Sequence, residues 1–163
     1  MKPHPLPCLG LAALLVLAAC ASVPPKRVDT VARAATAADL SSPLGEVSVE
    51  IGPADGGIER VVREVFPVAA AKLGFPADNG ESGAEYAIWL RAGEYEVGID
   101  TYTTVLCVLK LRSKSDGTVL ATTIVTDESR LELKSSGYIY SLVREALASL
   151  AHSIAASKKD ASK

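Results

Sequence analysis

Apolar and polar positions alternate in two periods along this chain, and the changes of period divide it into elements. "EVSVEI", Glu46 to Ile51, alternates Val47, Val49 and Ile51 with Glu46, Ser48 and Glu50, the signature of a strand with one wet face. Pro53 and Asp55-Gly56-Gly57 break it. Ile58, Val61, Val62, Val65, Ala69 and Leu73 then recur at helical spacing, predicting a helix over about Gly57 to Leu73. Pro67 falls inside that helix and should kink or split it, whereas Gly74 and Pro76 mark its end.

The period returns to two in "AEYAIWLRAGEYEVGI". Tyr86, Ile88 and Leu90 share one face there, and Ala87, Trp89 and Arg91 the other, while Gly93 is a place for the strand to bend. In "TYTTVLCVLKL", Val105, Cys107, Leu109 and Leu111 point one way and Leu106 and Val108 the other. A strand apolar on both faces belongs in the middle of a sheet. Asp116-Gly117 supplies the hairpin turn into the next strand. Ile139, Leu142, Val143, Ala146, Leu147, Leu150 and Ile154 form the stripe of a final helix, from about Ser136 to Ala156. The order β-α-β-β-β-α predicts an α+β domain over residues 46–157: a mainly antiparallel four-stranded sheet with two helices on one face. A right-handed crossover through the first helix would make the two strands it joins parallel if they share the sheet.

The run Leu9 to Ala19 is too short to span a bilayer, which takes about 20 apolar residues. Behind a start with Lys2 and His4, and closing on small residues, it has the layout of a secretory signal, residues 1–19. Its ending, Leu17-Ala18-Ala19-Cys20, resembles the lipobox of bacterial lipoproteins. That resemblance implies cleavage before Cys20, acylation of Cys20, and a chain held on a membrane by lipid. Several acyl chains on one residue, at about 0.8 kcal/mol per buried CH₂, make such anchoring stable. Ala21 and Ser22 stand where the family's inner-membrane proteins tend to carry an aspartate, which implies the outer membrane, facing the periplasm. Residues 20–45, rich in alanine and small polar residues around Pro24-Pro25, read as the lipidated cysteine and a flexible tether, a coil about 25–30 Å in end-to-end distance. Residues 158–163 read as a solvated tail.

A formal net charge of −2 leaves no footprint for nucleic acid. Once Cys8 departs with the signal and Cys20 takes lipid, Cys107 remains as a lone thiol among apolar neighbours, a structural cysteine. His152 would be the one histidine behind the signal, too few strong ligands for a zinc site, so no metal and no cofactor is expected. Gly56-Gly57 lacks the pattern of a phosphate loop, and no G-x-S-x-G marks a nucleophile. Glu94 and Glu96, with Asp100 close in sequence, would share one face of a strand and read as a solvated strand face in preference to a general acid/base pair, and Asp127-Glu128 read as a strand end. The chain reads as a non-enzyme.

If the helices cover the face of Tyr86, Ile88, Leu90, Val105, Cys107 and Leu109, then Trp89, Leu106 and Val108 lie on the opposite face as an apolar patch, the usual mark of an interaction site, with Tyr95 and Tyr102 at its rim. The lipobox, "KLGF", "AEYAIWLRAG" and "VLKLRSKSDGTVLATT" together resemble small bacterial envelope lipoproteins: the penicillin-binding-protein activators, the curli-secretion lipoprotein, and auxiliary lipoproteins of transport and lipopolysaccharide assembly. That resemblance implies an accessory or scaffold role, docking on another envelope protein. The rival is a lipoprotein that takes a lipid or small apolar ligand between helices and sheet. Replacing Cys20 by serine is expected to abolish incorporation of labelled palmitate and to release the protein from the membrane fraction.

Overall fold

The computed structural model describes residues 26–51, 55–76, 82–97, 100–129 and 135–160; the signal segment and Cys20 lie outside them. For residues 55–56, 95–97, 100–102, 129 and 159–160 the backbone alone is described. Five strands form one sheet: β1 (Arg27–Ala32), β2 (Leu44–Glu50), β3 (Ala84–Val97), β4 (Asp100–Ser113) and β5 (Val119–Ser129), in spatial order β1-β5-β4-β3-β2. The helices α1 (Asp55–Lys72) and α2 (Ser136–Asp160) pack on each other and on one face of it, α1 over β2 and α2 over β1, β5 and β4.

The strand apolar on both sides, β4, is central, and its alternation places Val105, Cys107, Leu109 and Leu111 under the helices. They meet Ile139, Leu142, Val143, Ala146, Leu147, Leu150 and Ile154, the whole expected stripe of α2, all buried. Strand β2 runs parallel to β3, with Val47 opposite Ile88 and Val49 opposite Leu90, as a crossover through α1 requires. The sheet is therefore mixed. The other neighbouring strands are antiparallel.

Pro67 does not split α1, which continues through it to Lys72 with Phe66 and Ala69 buried on either side of the proline. Gly74 then takes a positive φ of 77°, and the amides of Gly74 and Phe75 bond to the carbonyls of Ala71 and Ala70 at 3.0 Å, closing the helix end. At the β4–β5 turn Gly117 has φ 72°, and Asp116 accepts bonds from the backbone amide and the hydroxyl of Thr118. Those bonds, the hydroxyl's first, hold the Asp116 carboxyl below its ordinary range.

The four-stranded expectation is corrected to five, because part of the expected tether belongs to the domain. Residues 27–32 form the edge strand β1, and Ala37–Ser41 form a short 3₁₀ helix on the way to β2. Only small or medium side chains of β1, Val28, Thr30 and Ala32, occupy its core-facing positions, so its apolar signal is faint. Polar links hold it instead. The Thr30 hydroxyl lies 3.0 Å from that of Thr123 and 2.8 Å from that of Ser149, while Lys26 donates to Ser141 at 3.0 Å and pairs with Glu145 at 3.3 Å. At the other end, α2 runs through residues 158–160, expected as tail.

Truncating fully buried Leu147 to alanine is expected to cost about 2–5 kcal/mol, seen as a lowered urea midpoint. Val31→Thr, on the outer side of β1 at 57% exposure, should stay within about 0.5 kcal/mol in the same titration.

Candidate docking surface

The register across the strands defines the face that the helices leave open. Ser48, Trp89, Val108, Ile124 and Asp29 occupy successive strands in one row, from β2 to β1. The row on one side of it reads Glu50, Arg91, Leu106, Thr126 and Arg27; on the other side Ala87, Lys110, Thr122 and Val31 line up. An apolar band thus crosses β3, β4 and β5, and charged residues bound it at both sheet edges.

Val108 is only 6% exposed, and its direct cross-strand neighbours in the row are Trp89 and Ile124. Trp89 and Leu106 are half-buried, and Ile124 and Val31 are exposed. The structure thus brings Trp89, Leu106 and Val108 together on one face, as their alternation requires. Ile124 and Val31 are not legible in the sequence: β5 gains its faces only once the register across the Asp116-Gly117 turn is known, and β1 reads as tether. Val119, 40% exposed, extends the same face beside Arg112.

Ion pairs keep the rim near neutrality. Arg112 donates to Glu85 at 2.8 Å and pairs with Glu46 at 2.9 Å, Arg91 lies 4.0 Å from Glu50, and Arg27 lies 2.9 Å from Asp29. The bonds to Glu85 and then Glu46 hold Arg112 still more firmly charged than usual. Exposed pairs of this kind add at most about 1 kcal/mol each, so they fix orientation more than they stabilise.

Tyr95 and Tyr102 are opposite one another in the β3–β4 pairing, and strand alternation gives them positions of the outer face. Their side chains lie outside the described set.

The titratable groups singled out in the sequence divide differently. His152 is exposed on α2, and Glu94 is exposed on β3. Asp127, expected at a wet strand end, lies instead within β5 at 6% exposure, opposite Val105 on the helix-covered face. The Tyr138 hydroxyl donates to it at 3.0 Å and the Lys26 ammonium stands 3.9 Å away, which compensates a charge taken out of water. Its partners come from the edge strand's entry and from α2, so its neighbours in sequence carry no hint of them. Tyr86 is fully buried against Phe66, with ring centroids 5.2 Å apart, and burial pushes its hydroxyl well above the ordinary range. Among the described residues no group of three or more His, Cys, Asp or Glu is arranged to hold a metal ion, and no helix is long and apolar enough to cross a membrane.

No family model and no curated protein matches the chain. Solved structures do. The PelC dodecamer from Paraburkholderia phytofirmans aligns over 77% of this chain and 98% of its own at 18% identity, with a TM-score of 0.50. The likeness is one of fold. A methionine-substituted variant of that PelC dodecamer, from the same organism, aligns at 17% identity over 76% of this chain and 95% of its own, with a TM-score of 0.48. A candidate lipoprotein from Caulobacter crescentus CB15 aligns over 72% of this chain and 88% of its own at 15% identity, with a TM-score of 0.28.

Cys107 is completely enclosed between sheet and α2, and burial pushes its thiol up to about 12. The neutral thiol is therefore the folded form, and ionisation of the unfolded chain above pH 9 draws stability away as pH rises toward 12. Native protein treated with iodoacetamide at pH 8 is expected to show no Cys107 adduct by mass spectrometry, and urea should expose the residue to complete alkylation.

Proposed function

We propose that this chain is an envelope lipoprotein, anchored through Cys20 to the outer membrane on its periplasmic side, that works without catalysis as an accessory or scaffold for another envelope protein. The observation that carries the reading is the apolar band Trp89-Val108-Ile124 on the face of the sheet opposite the helices, with Leu106 beside it. Two helices are fully used on the other face, and an open sheet face ordinarily turns polar residues to water. Here the centre is apolar and the edges carry paired charges, the composition of a docking surface with a dry core and a wet rim.

A second reading is self-assembly. It is favoured by one observation, that the PelC structure sharing this fold is a dodecamer. In that case the face, or the edge strands β1 and β2, meets another copy of the chain.

The test is crosslinking in cells of the full-length protein, followed by affinity purification and mass spectrometry, beside Trp89→Lys, Leu106→Lys and Ile124→Lys. The expected result is a reproducible envelope partner that all three substitutions remove while circular dichroism and membrane attachment stay unchanged. Adducts of the chain with itself alone would move the reading to self-assembly. A partner retained by all three variants would overturn the sheet face as the contact.

A further inference from the structure

Strand β1 turns half of its backbone groups away from the sheet. The Arg33 amide bonds to the Leu120 carbonyl at 2.9 Å, which continues the antiparallel register of β1 and β5 and makes Arg33 and Leu120 a hydrogen-bonded pair. Alternation then directs the amides and carbonyls of Arg27, Asp29 and Val31 toward β5, and those of Val28, Thr30 and Ala32 outward. Among the described residues no hydrogen bond reaches these outward groups. The other edge of the sheet differs, because the Arg63 guanidinium of α1 donates to the Gly45 carbonyl of β2 at 3.1 Å.

A row of unpaired backbone groups is a template for another strand. The side chains of β1 say which strand fits. On the outer face stand Arg27, Asp29, Val31 and, just past the strand, Arg33, all exposed; on the inner face stand Val28, Thr30 and Ala32. A second β1, antiparallel about a two-fold axis, meets these outward groups with its own when the axis passes Val28, Asp29, Thr30 or Val31. Centring on Asp29 opposes two carboxylates, and centring on Thr30 sets Arg27 against Arg33. Centring on Val28 leaves Val31, 57% exposed, uncovered. Centring on Val31 avoids all three faults. Val31 then covers its own copy, Asp29 faces Arg33 of the second copy on both sides of the axis, and Thr30 and Ala32 exchange backbone hydrogen bonds.

We propose that two copies of this chain join through β1, antiparallel and centred on Val31, into one continuous sheet. This rests on the self-assembly reading above, gives it a definite contact, and leaves the apolar sheet face to the other reading. The helices permit the pairing. The two-fold axis runs along the sheet normal, so both helix layers lie on the same side. Helix α2 packs on β1, β5 and β4, and β5, the middle one, lies about 7 Å from the axis at 4.8 Å per strand. The two copies of α2 are then about 14 Å apart, beyond the 8–10 Å at which helices pack, and do not collide.

The experiment is oxidation with copper phenanthroline of cells making the full-length Val31→Cys protein, beside the unsubstituted chain and Val68→Cys, a position exposed on α1. Opposed residues of a non-hydrogen-bonded pair have Cα atoms about 4.5 Å apart, within the range that a disulfide bridges. Expected on non-reducing gels is a dimer at position 31 about tenfold above both controls, lost when Asp29→Arg is added and regained when Arg33→Asp joins it. Dimer no stronger at position 31 than at position 68, or unchanged by Asp29→Arg, overturns the β1 contact. Dimer that Trp89→Lys removes overturns it too, and assigns self-association to the sheet face. Self-adducts in the partner crosslinking with none at position 31 overturn this contact and leave self-assembly standing; no self-adducts in either experiment overturn both.

Discussion

Strand β4 is the constraint on which the rest depends. Its run Val105 to Leu111 is apolar on both sides except for Lys110, and a strand of that kind is stable only with a neighbour at each edge and a layer over at least one face. Strands β3 and β5 satisfy the edges, and α1 and α2 supply one layer. Two helices cover one face of the five strands, and among the described residues no element packs on the second face, where neighbouring side chains shield one another. Trp89 and Ile124 stand on either side of Val108, which is 6% exposed. The band follows from the apolar outer positions that β4 shares with its two neighbours.

What is legible in the sequence is what periodicity encodes. The stripe of α2, the two faces of β4 and the Asp116-Gly117 turn each state their own geometry within a dozen residues, and the structure agrees at each. The parallel pairing of β2 with β3 follows from the helical crossover that joins them. What is not legible depends on distant residues. Strand β1 offers few apolar side chains, and its place is set by hydroxyls and an ammonium whose partners, Thr123, Ser149, Ser141 and Glu145, lie more than 90 positions along the chain. Asp127 reads as wet for the same reason, since Tyr138 and Lys26 reach it only in the folded domain. Counting alone places Trp89, Leu106 and Val108 on one face, but Ile124 joins them only through register. The Pro67 helix shows the reverse case, where tertiary packing of Phe66 and Ala69 outweighs a local rule.

The location of the protein and the shape of the domain come from separate parts of the chain. The lipobox resemblance concerns Leu17 to Cys20 and is independent of anything folded; the likeness to PelC concerns the folded part and is a likeness of fold. They meet at Lys26. With β1 counted into the domain, the expected tether of residues 20–45 gives up its residues from Lys26 onward to the folded part, and an anchor at Cys20, as proposed, would stand only six residues before Lys26.

The clamp at Lys26 also decides how the domain bears a load. In a chain held by Cys20, tension between the membrane and anything gripping the sheet enters at the first residue of β1 and is directed along the strand. The hydrogen bonds joining β1 to β5 lie across that direction, so they are strained together in shear and are not peeled open singly. The side-chain ties to Ser141, Glu145 and Ser149 pass part of the same tension into α2. In such an anchored chain the edge strand would serve as a mechanical coupling, oriented in the direction in which a β-ladder resists rupture best.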